Sequence, residues 1–279
     1  MTRWIGLLAV LVVLLVTGVA VAAEQVDLAL VIATDTSRSI DEMEARLQRE
    51  GVSAALRHPD IITAIQSGYN RRIGVAYIDW SSAPFSQVIV NWRIISDQAS
   101  GDAYAQALAD TPITLGQRTS ISDGIDLAMK LLMDGTMQAQ RMVVDVSGDG
   151  PNNSGRPVTD ARDEAIAKGV IINGLPIIND RDAFGFGNLN DLDDYYRGCV
   201  IGGPGAFIVV AKDFEDFATA IRRKLIFEIA GRVPSQTPRR GMIVPVASDQ
   251  QFGSGFTYQR GCDIGERQWR RGFDYGPQR

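Results

Sequence analysis

Short continuous apolar runs alternate with amphipathic stretches along most of this chain, and that alternation predicts its elements. Residues 28–34 are apolar almost throughout and read as a strand buried on both faces. Residues 42–56 carry Met43, Leu47, Ala54 and Ala55 among charges, a helical pattern that His58, Pro59 and Asp60 interrupt before 61–65 resumes it. Residues 72–80 read as a strand, 81–84 as a turn and 85–95 as a second strand. A parallel crossover needs a dozen or more residues, so these two strands form a hairpin and one sheet edge is antiparallel. Helices are expected over 99–109 and 122–133, a strand over 141–147, a helix over 159–168, and strands over 170–178 and 207–211. A closing helix over 214–229 places Phe214, Phe217, Ile221, Leu225 and Ile229 on one face. The fold class is therefore α/β: a doubly wound, mostly parallel sheet with helices on both faces and an antiparallel edge strand. No internal repeat is visible.

Two segments depart from this alternation. A short basic start, Thr2-Arg3, precedes an apolar stretch over 5–22 that closes on Ala20-Val21-Ala22, and residues 1–23 read as a secretory signal peptide. An uncleaved membrane anchor is the alternative, and both readings place the folded part, 24–231, outside the cytoplasm in the periplasm or beyond. Residues 232–279 contain no Lys, many Arg and scattered Pro, Gly and aromatic residues. They show neither helical nor strand period and read as an extension.

Charge and cysteine count narrow the function classes. A net charge of −5 argues against a nucleic-acid surface. Two cysteines occur, Cys199 and Cys262. A lone pair in an oxidising compartment is a disulfide candidate, with two unrelated buried thiols as the alternative.

The chemistry concentrates where the first strand ends. Asp35-Thr36-Ser37-Arg38-Ser39 places a carboxylate and two hydroxyls on one loop. All are hard oxygen donors, the ligand type Mg²⁺ prefers. Asp35, Ser37 and Ser39 resemble the Asp-x-Ser-x-Ser loop of the von Willebrand factor A domain, with its metal-ion-dependent adhesion site. That family adds a Thr and then an Asp from later loops. Thr119, in Gly116-Gln117-Arg118-Thr119-Ser120-Ile121, matches the first, and Asp149, after a strand and before Gly150, matches the second. The resemblance spans roughly residues 26–230. Gly-Leu-Pro-Ile at 174–177 and Gly-Gly-Pro-Gly-Ala-Phe at 202–207 further resemble an exported bacterial subgroup of unknown function. It implies one Mg²⁺ or Mn²⁺, held directly by Ser37 and Ser39, by Thr119 when a ligand is present, and through water by Asp35 and Asp149. Ligands in open α/β sheets bind beyond the carboxyl ends of the strands, where these loops would meet. The implied role is capture of a carboxylate on a protein partner, without catalysis.

Each residue also has a plain structural use. Asp35 and Ser37 could cap the helix that begins near Asp41, Thr119 could cap the helix after it, and Asp149-Gly150 could be a turn. Other constellations are weaker. A haloacid-dehalogenase phosphatase needs a second carboxylate at the position of Ser37. A Ser-His-Asp hydrolase would have to use His58, the sole histidine, next to Pro59. The oxygen-rich stretch 188–194 lacks EF-hand spacing and reads as a loop and helix start, and Gly202 to Gly205 reads as a turn. The alternatives to partner capture are a domain whose metal only holds loops together and a metal-assisted hydrolase. The hydrolase lacks a general base near the proposed metal.

Overall fold

The structure is a computed structural model, and it describes residues 23–82, 85–178, 189–231, 244–245 and 256–274. The segment read as a signal peptide lies outside these residues, except for its last position. Strands β1 (Glu24–Asp35), β2 (Ile73–Trp80), β3 (Gln87–Ile95), β4 (Met137–Gly148), β5 (Val170–Pro176), β6 (Phe207–Ile208) and β7 (Val244–Pro245) form one sheet in the order β3-β2-β1-β4-β5-β6-β7. The pairs β1–β2, β1–β4, β4–β5 and β5–β6 are parallel. The β2–β3 pair is the antiparallel hairpin that the short 81–84 connection requires. The two-residue β7 adds a second antiparallel edge against β6. The fold is thus the expected doubly wound α/β sheet.

Strand periodicity explains the two cores. Ala29, Val31 and Ala33 of β1 point to one face, and Leu28, Leu30 and Ile32 to the other; all are buried. The first face is covered by α4 (Ile121–Leu132), α5 (Val158–Ala167), the short α6 (Leu192–Tyr195) and a π-helical turn, Tyr196–Val200. The second is covered by α1 (Glu42–Leu56), α2 (Pro59–Gln66), α3 (Gln98–Ala109) and α7 (Phe217–Ala230). Covering both faces accounts for a first strand that is apolar throughout rather than alternating.

Two expectations need correction. The strand expected over 207–211 is confined to Phe207–Ile208, with Ala211 making one isolated bridge to Ile177. Gly203 and Gly205, at φ +96° and +75°, turn the chain into so short a strand. The extension also carries a helix, α8 (Ile264–Asp274). Arginines and glycines crowd its sequence and hide it, although Ile264 packs on the core and Gly265, Glu266 and Trp269 contact the loops beside the site. Cys199 of the π-helical turn and Cys262, just before α8, are joined in a disulfide, with Cα atoms 5.5 Å apart. Among the described residues no helix is long and apolar enough to cross a membrane.

Candidate metal centre

In this sheet β1 leads to β2 on one side and pairs with β4 on the other, so the winding reverses between β1 and β4. Loops diverge there and leave a crevice beyond the carboxyl ends. Asp35 is the last residue of β1, and Asp149 directly follows β4, with Thr34 in register with Ser147. Parallel pairing therefore carries both carboxylates to the same end of adjacent strands.

Backbone hydrogen bonds sew the remaining loops to that point. Thr36 N–H donates to the Trp80 carbonyl at 2.9 Å, and Gly116 N–H to the Thr36 carbonyl at 2.7 Å. Ser120 N–H donates to the Ser81 carbonyl at 3.1 Å, and Asn153 N–H to the Thr119 carbonyl at 2.8 Å. Thr119 N–H returns the contact to Asn153 Oδ1 at 3.0 Å. The Thr119 loop is thus fixed between the Asp35 loop and the loop that follows Asp149.

Four of the expected residues connect directly. Ser37 N–H donates to Asp35 Oδ1 at 2.7 Å, the Ser37 and Ser39 hydroxyls lie 3.1 Å apart, and Ser39 Oγ–H donates to Asp149 Oδ1 at 2.6 Å. Asp35 and Ser37 are fully buried, Thr119 and Asp149 are buried, and Ser39 is half-buried. The plain capping uses fall to other residues. Asp41 caps α1, accepting from Glu44 N–H at 2.9 Å in a capping box, and Ser120 caps α4 through Asp123 N–H at 3.3 Å. His58 caps α2 through Asp60 N–H at 3.2 Å, far from the site in the fold's other layer.

Two acidic side chains, Asp35 and Asp149, are buried close together at this end. Asp35 Oδ2 is buried and has no hydrogen-bond partner among the described residues. Burial first, and then the neighbouring Asp149 carboxylate, push the Asp35 carboxyl well above the usual range, which hydrogen bonding from Ser37 and from the Asp149 backbone only partly offsets. A buried carboxylate facing another is unfavourable unless a proton or a metal lies between them. The donor set fits a hard divalent ion, with two carboxylates and three hydroxyls, all oxygen. Among the described residues no group of three or more His, Cys, Asp or Glu side chains comes together, so the hydroxyls and water would complete any coordination.

Several residues around the site escape sequence reasoning. A Cβ on Gly148 would lie 2.9 Å from Asp35 Oδ2, 2.9 Å from Tyr196 Oη and 3.0 Å from Trp80. Gly148 therefore lets the Asp35 carboxylate and the Tyr196 phenol approach one another. Burial, with Asp35 next, drives the Tyr196 hydroxyl upward, so it stays protonated near that carboxylate without hydrogen-bonding it. Tyr196 lies on the π-helical turn, whose extra residue breaks any period. Asn152 is equally hidden in sequence. Its N–H donates to Tyr195 Oη at 3.1 Å, its Oδ1 accepts from Ser122 N–H at 3.1 Å, and its Nδ2 donates to Glu266 Oε1 at 2.8 Å. The Arg118 guanidinium stacks 4.3 Å above the Trp269 ring. A Cβ on Gly265 would fall 2.1 Å from the Asn152 carbonyl oxygen, so α8 sits directly on the loop beside the site. At β2 the buried Arg49–Asp79 pair, 2.5 Å apart, also binds the Thr111 and Pro112 carbonyls and anchors the segment leading to Gly116.

Comparison with known proteins agrees with the fold. A family profile described as "Protein of unknown function (DUF1194)" matches residues 25–233. No curated protein matches the chain. Among solved structures, the pilus adhesin SpaC from Lactobacillus rhamnosus GG is 14% identical with a TM-score of 0.55, covering 75% of this chain and 31% of its own. Proximal thread matrix protein 1 from the mussel byssus, with a zinc-occupied MIDAS motif, is 14% identical with a TM-score of 0.52, covering 73% and 46%. A von Willebrand factor type A protein from Catenulispora acidiphila is 15% identical with a TM-score of 0.50, covering 73% and 43%. The present chain thus spans less than half of each of these proteins. The fold is that of a von Willebrand factor A domain.

Proposed function

Since this chain belongs to the DUF1194 family, whose description assigns no activity, we propose a function from the site itself: metal-dependent capture of a carboxylate on a protein partner. The unit that does this is residues 24–231, exported by the segment 1–23, with 232–279 as an extension bearing α8. Asp35, Ser37, Ser39, Thr119 and Asp149 hold one Mg²⁺ or Mn²⁺ between them, and an open position on the ion takes the partner's oxygen. The observation that carries this reading is the buried Asp35 Oδ2, without a partner among the described residues, beside a hydroxyl chain that ends on Asp149. Several similar structures are adhesion or matrix proteins, one with zinc in its MIDAS motif, which supports a binding role outside the cytoplasm and a divalent ion.

Binding is favoured over catalysis because two of the ionisable groups at the site, Asp35 and Tyr196, are fully buried and closed to an acid–base exchange with substrate. A purely structural ion is the second reading. It is disfavoured by the backbone hydrogen bonds that already join the three loops without a metal. Capture of envelope proteins by the immobilised full chain tests the proposal, in Mg²⁺, in EDTA and with Thr119→Ala. Capture should need Mg²⁺ and fall with Thr119→Ala, while most of the thermal stabilisation by Mg²⁺ remains. Full capture in EDTA would refute a metal bridge. Unchanged capture with lowered stability in Thr119→Ala would favour the structural ion.

A further inference from the structure

Beneath the sheet, away from the candidate metal centre, α7 and the central strands enclose a second cluster of ionisable groups. Lys224 of α7 is completely buried, and so are Asp145 of β4 and Glu228 of α7. Lys224 Nζ sits against Asp145 Oδ1 and lies 2.6 Å from Glu228 Oε1. Asn173 of β5 donates from Nδ2 to the same Glu228 oxygen at 2.8 Å and accepts from Phe207 N–H at 2.9 Å. The Phe207 ring stands 5.4 Å from Lys224 Nζ. Val143, Leu175, Ile221 and Leu225 line the same layer. Asp145 Oδ2 and Glu228 Oε2 have no hydrogen-bond partners among the described residues.

This arrangement is costly as an ion cluster. One ammonium cannot neutralise two carboxylates, so one of the two acids holds a proton, and the remaining ion pair still loses several kcal/mol of hydration per ion on burial. It is well disposed as a reacting set. A primary amine, a carboxyl carbon and a second carboxyl able to carry a proton are held in fixed contact, in a layer of apolar side chains. Fixed proximity turns a bimolecular condensation into an intramolecular one. Excluding water removes the solvation that otherwise favours ammonium and carboxylate over amide.

We propose that Lys224 and Asp145 condense into an intramolecular isopeptide bond, with Glu228 as the proton carrier. The Lys224 ammonium passes a proton to the Glu228 carboxylate, and the freed amine attacks Cγ of the protonated Asp145 carboxyl. The C–N bond forms as one Asp145 C–O bond breaks. That oxygen leaves as water, taking the remaining amine proton through Glu228. The products are a neutral amide, one water and a protonated Glu228, with no change of oxidation state. Burial, with Glu228 next, pushes the Asp145 carboxyl up to about 8, so the acid form that the attack requires prevails at neutral pH. Asn173 holds Glu228 Oε1, leaving Oε2 to carry the proton. The bond would fasten the last helix of the domain to the strand that presents Asp149.

Mass spectrometry of the full chain, reduced and alkylated after purification, tests this. The expected mass is one water below that of the sequence from the N-terminus found on the purified protein. A tryptic digest should contain one branched peptide joining Lys224 to Asp145, with no cleavage after Lys224. Glu228→Gln, folded by circular dichroism, should regain the full mass and yield cleavage after Lys224. Lys224→Met should also regain the full mass. A folded wild-type chain at full mass, with Lys224 cleaved by trypsin, would overturn the proposal. A branch to Asn173 with loss of ammonia would overturn the choice of Asp145. An unchanged branch in Glu228→Gln would remove Glu228 from the step.

Discussion

At the scale of single residues, the candidate centre turns on what happens to one carboxylate when it leaves water. Asp35 is an ordinary acid in the unfolded chain, near 3.9, and a raised one in the fold because burial and Asp149 oppose its charge. The sign of the linkage follows. Without metal, the folded state holds its proton more tightly than the unfolded state. Stability from that proton is present below the unfolded pKa and is lost as pH rises through the folded one. A divalent ion competes with the proton for the same oxygens, so its stabilising effect should grow in the opposite direction. The expected result is a larger Mg²⁺-induced shift in melting temperature at neutral pH than at about pH 5, abolished by Asp35→Ala. Equal shifts at both pH values would show that Mg²⁺ does not replace a proton at Asp35. Gly148 gives a second residue-scale prediction. Gly148→Ala drives a methyl group against Asp35 Oδ2, Tyr196 Oη and Trp80. It should cost about 1–3 kcal/mol in chemical denaturation and weaken Mg²⁺ binding in the same variant. Asp35, Ser37 and Ser39 are legible in sequence because three oxygens on one loop need no tertiary knowledge. Tyr196 is not, because only the π-helical turn brings it to Asp35.

Elements were legible where local chemistry and periodicity agree. Asp41 and Glu44 reciprocate in a capping box, and Pro59 opens α2, so both helix starts follow from short-range rules. The hairpin of β2 and β3 follows from the length of its connection. Helix α8 was hidden because arginines and glycines crowd its sequence, although Ile264 packs on the core and Gly265, Glu266 and Trp269 dock beside the site. That docking ties the extension to the loops of Thr119 and Asp149 through Arg118 and Asn152. The Cys199–Cys262 bridge closes a separation of 63 residues, for which chain entropy gives roughly 4 kcal/mol. Cys199→Ser with Cys262→Ser should therefore lower stability by an amount of that order. It should also raise amide hydrogen exchange at 116–122 and 149–153, where α8 rests. Lost stability with unchanged exchange in those segments would show that α8 stays docked without the bridge.

Over the whole molecule, the sheet order is what converts scattered residues into a site. Sequence order separates Asp35 from Asp149 by more than a hundred positions, and parallel pairing of β1 with β4 returns them to one crevice. Helices on both faces require the winding to reverse somewhere in the sheet, but alternation of elements alone does not say between which strands. The tether of the extension was legible in its two cysteines, but the docking of α8 was not, since it depends on contacts between segments far apart in sequence. Because the site joins loops that follow β1, β4 and the segment before α4, a bound ion should act on global unfolding rather than on one loop. At a free Mg²⁺ concentration a hundredfold above its dissociation constant, mass action adds about 2.7 kcal/mol, or roughly 5–10 °C in melting temperature for a domain of this size. Calorimetry with increasing Mg²⁺ should show one transition moving upward as a unit, with Thr119→Ala keeping most of the shift and Asp149→Ala losing it. A low-temperature transition that alone responds to Mg²⁺ would mean that the loops melt independently of the sheet. The ion would then order the site without stabilising the fold.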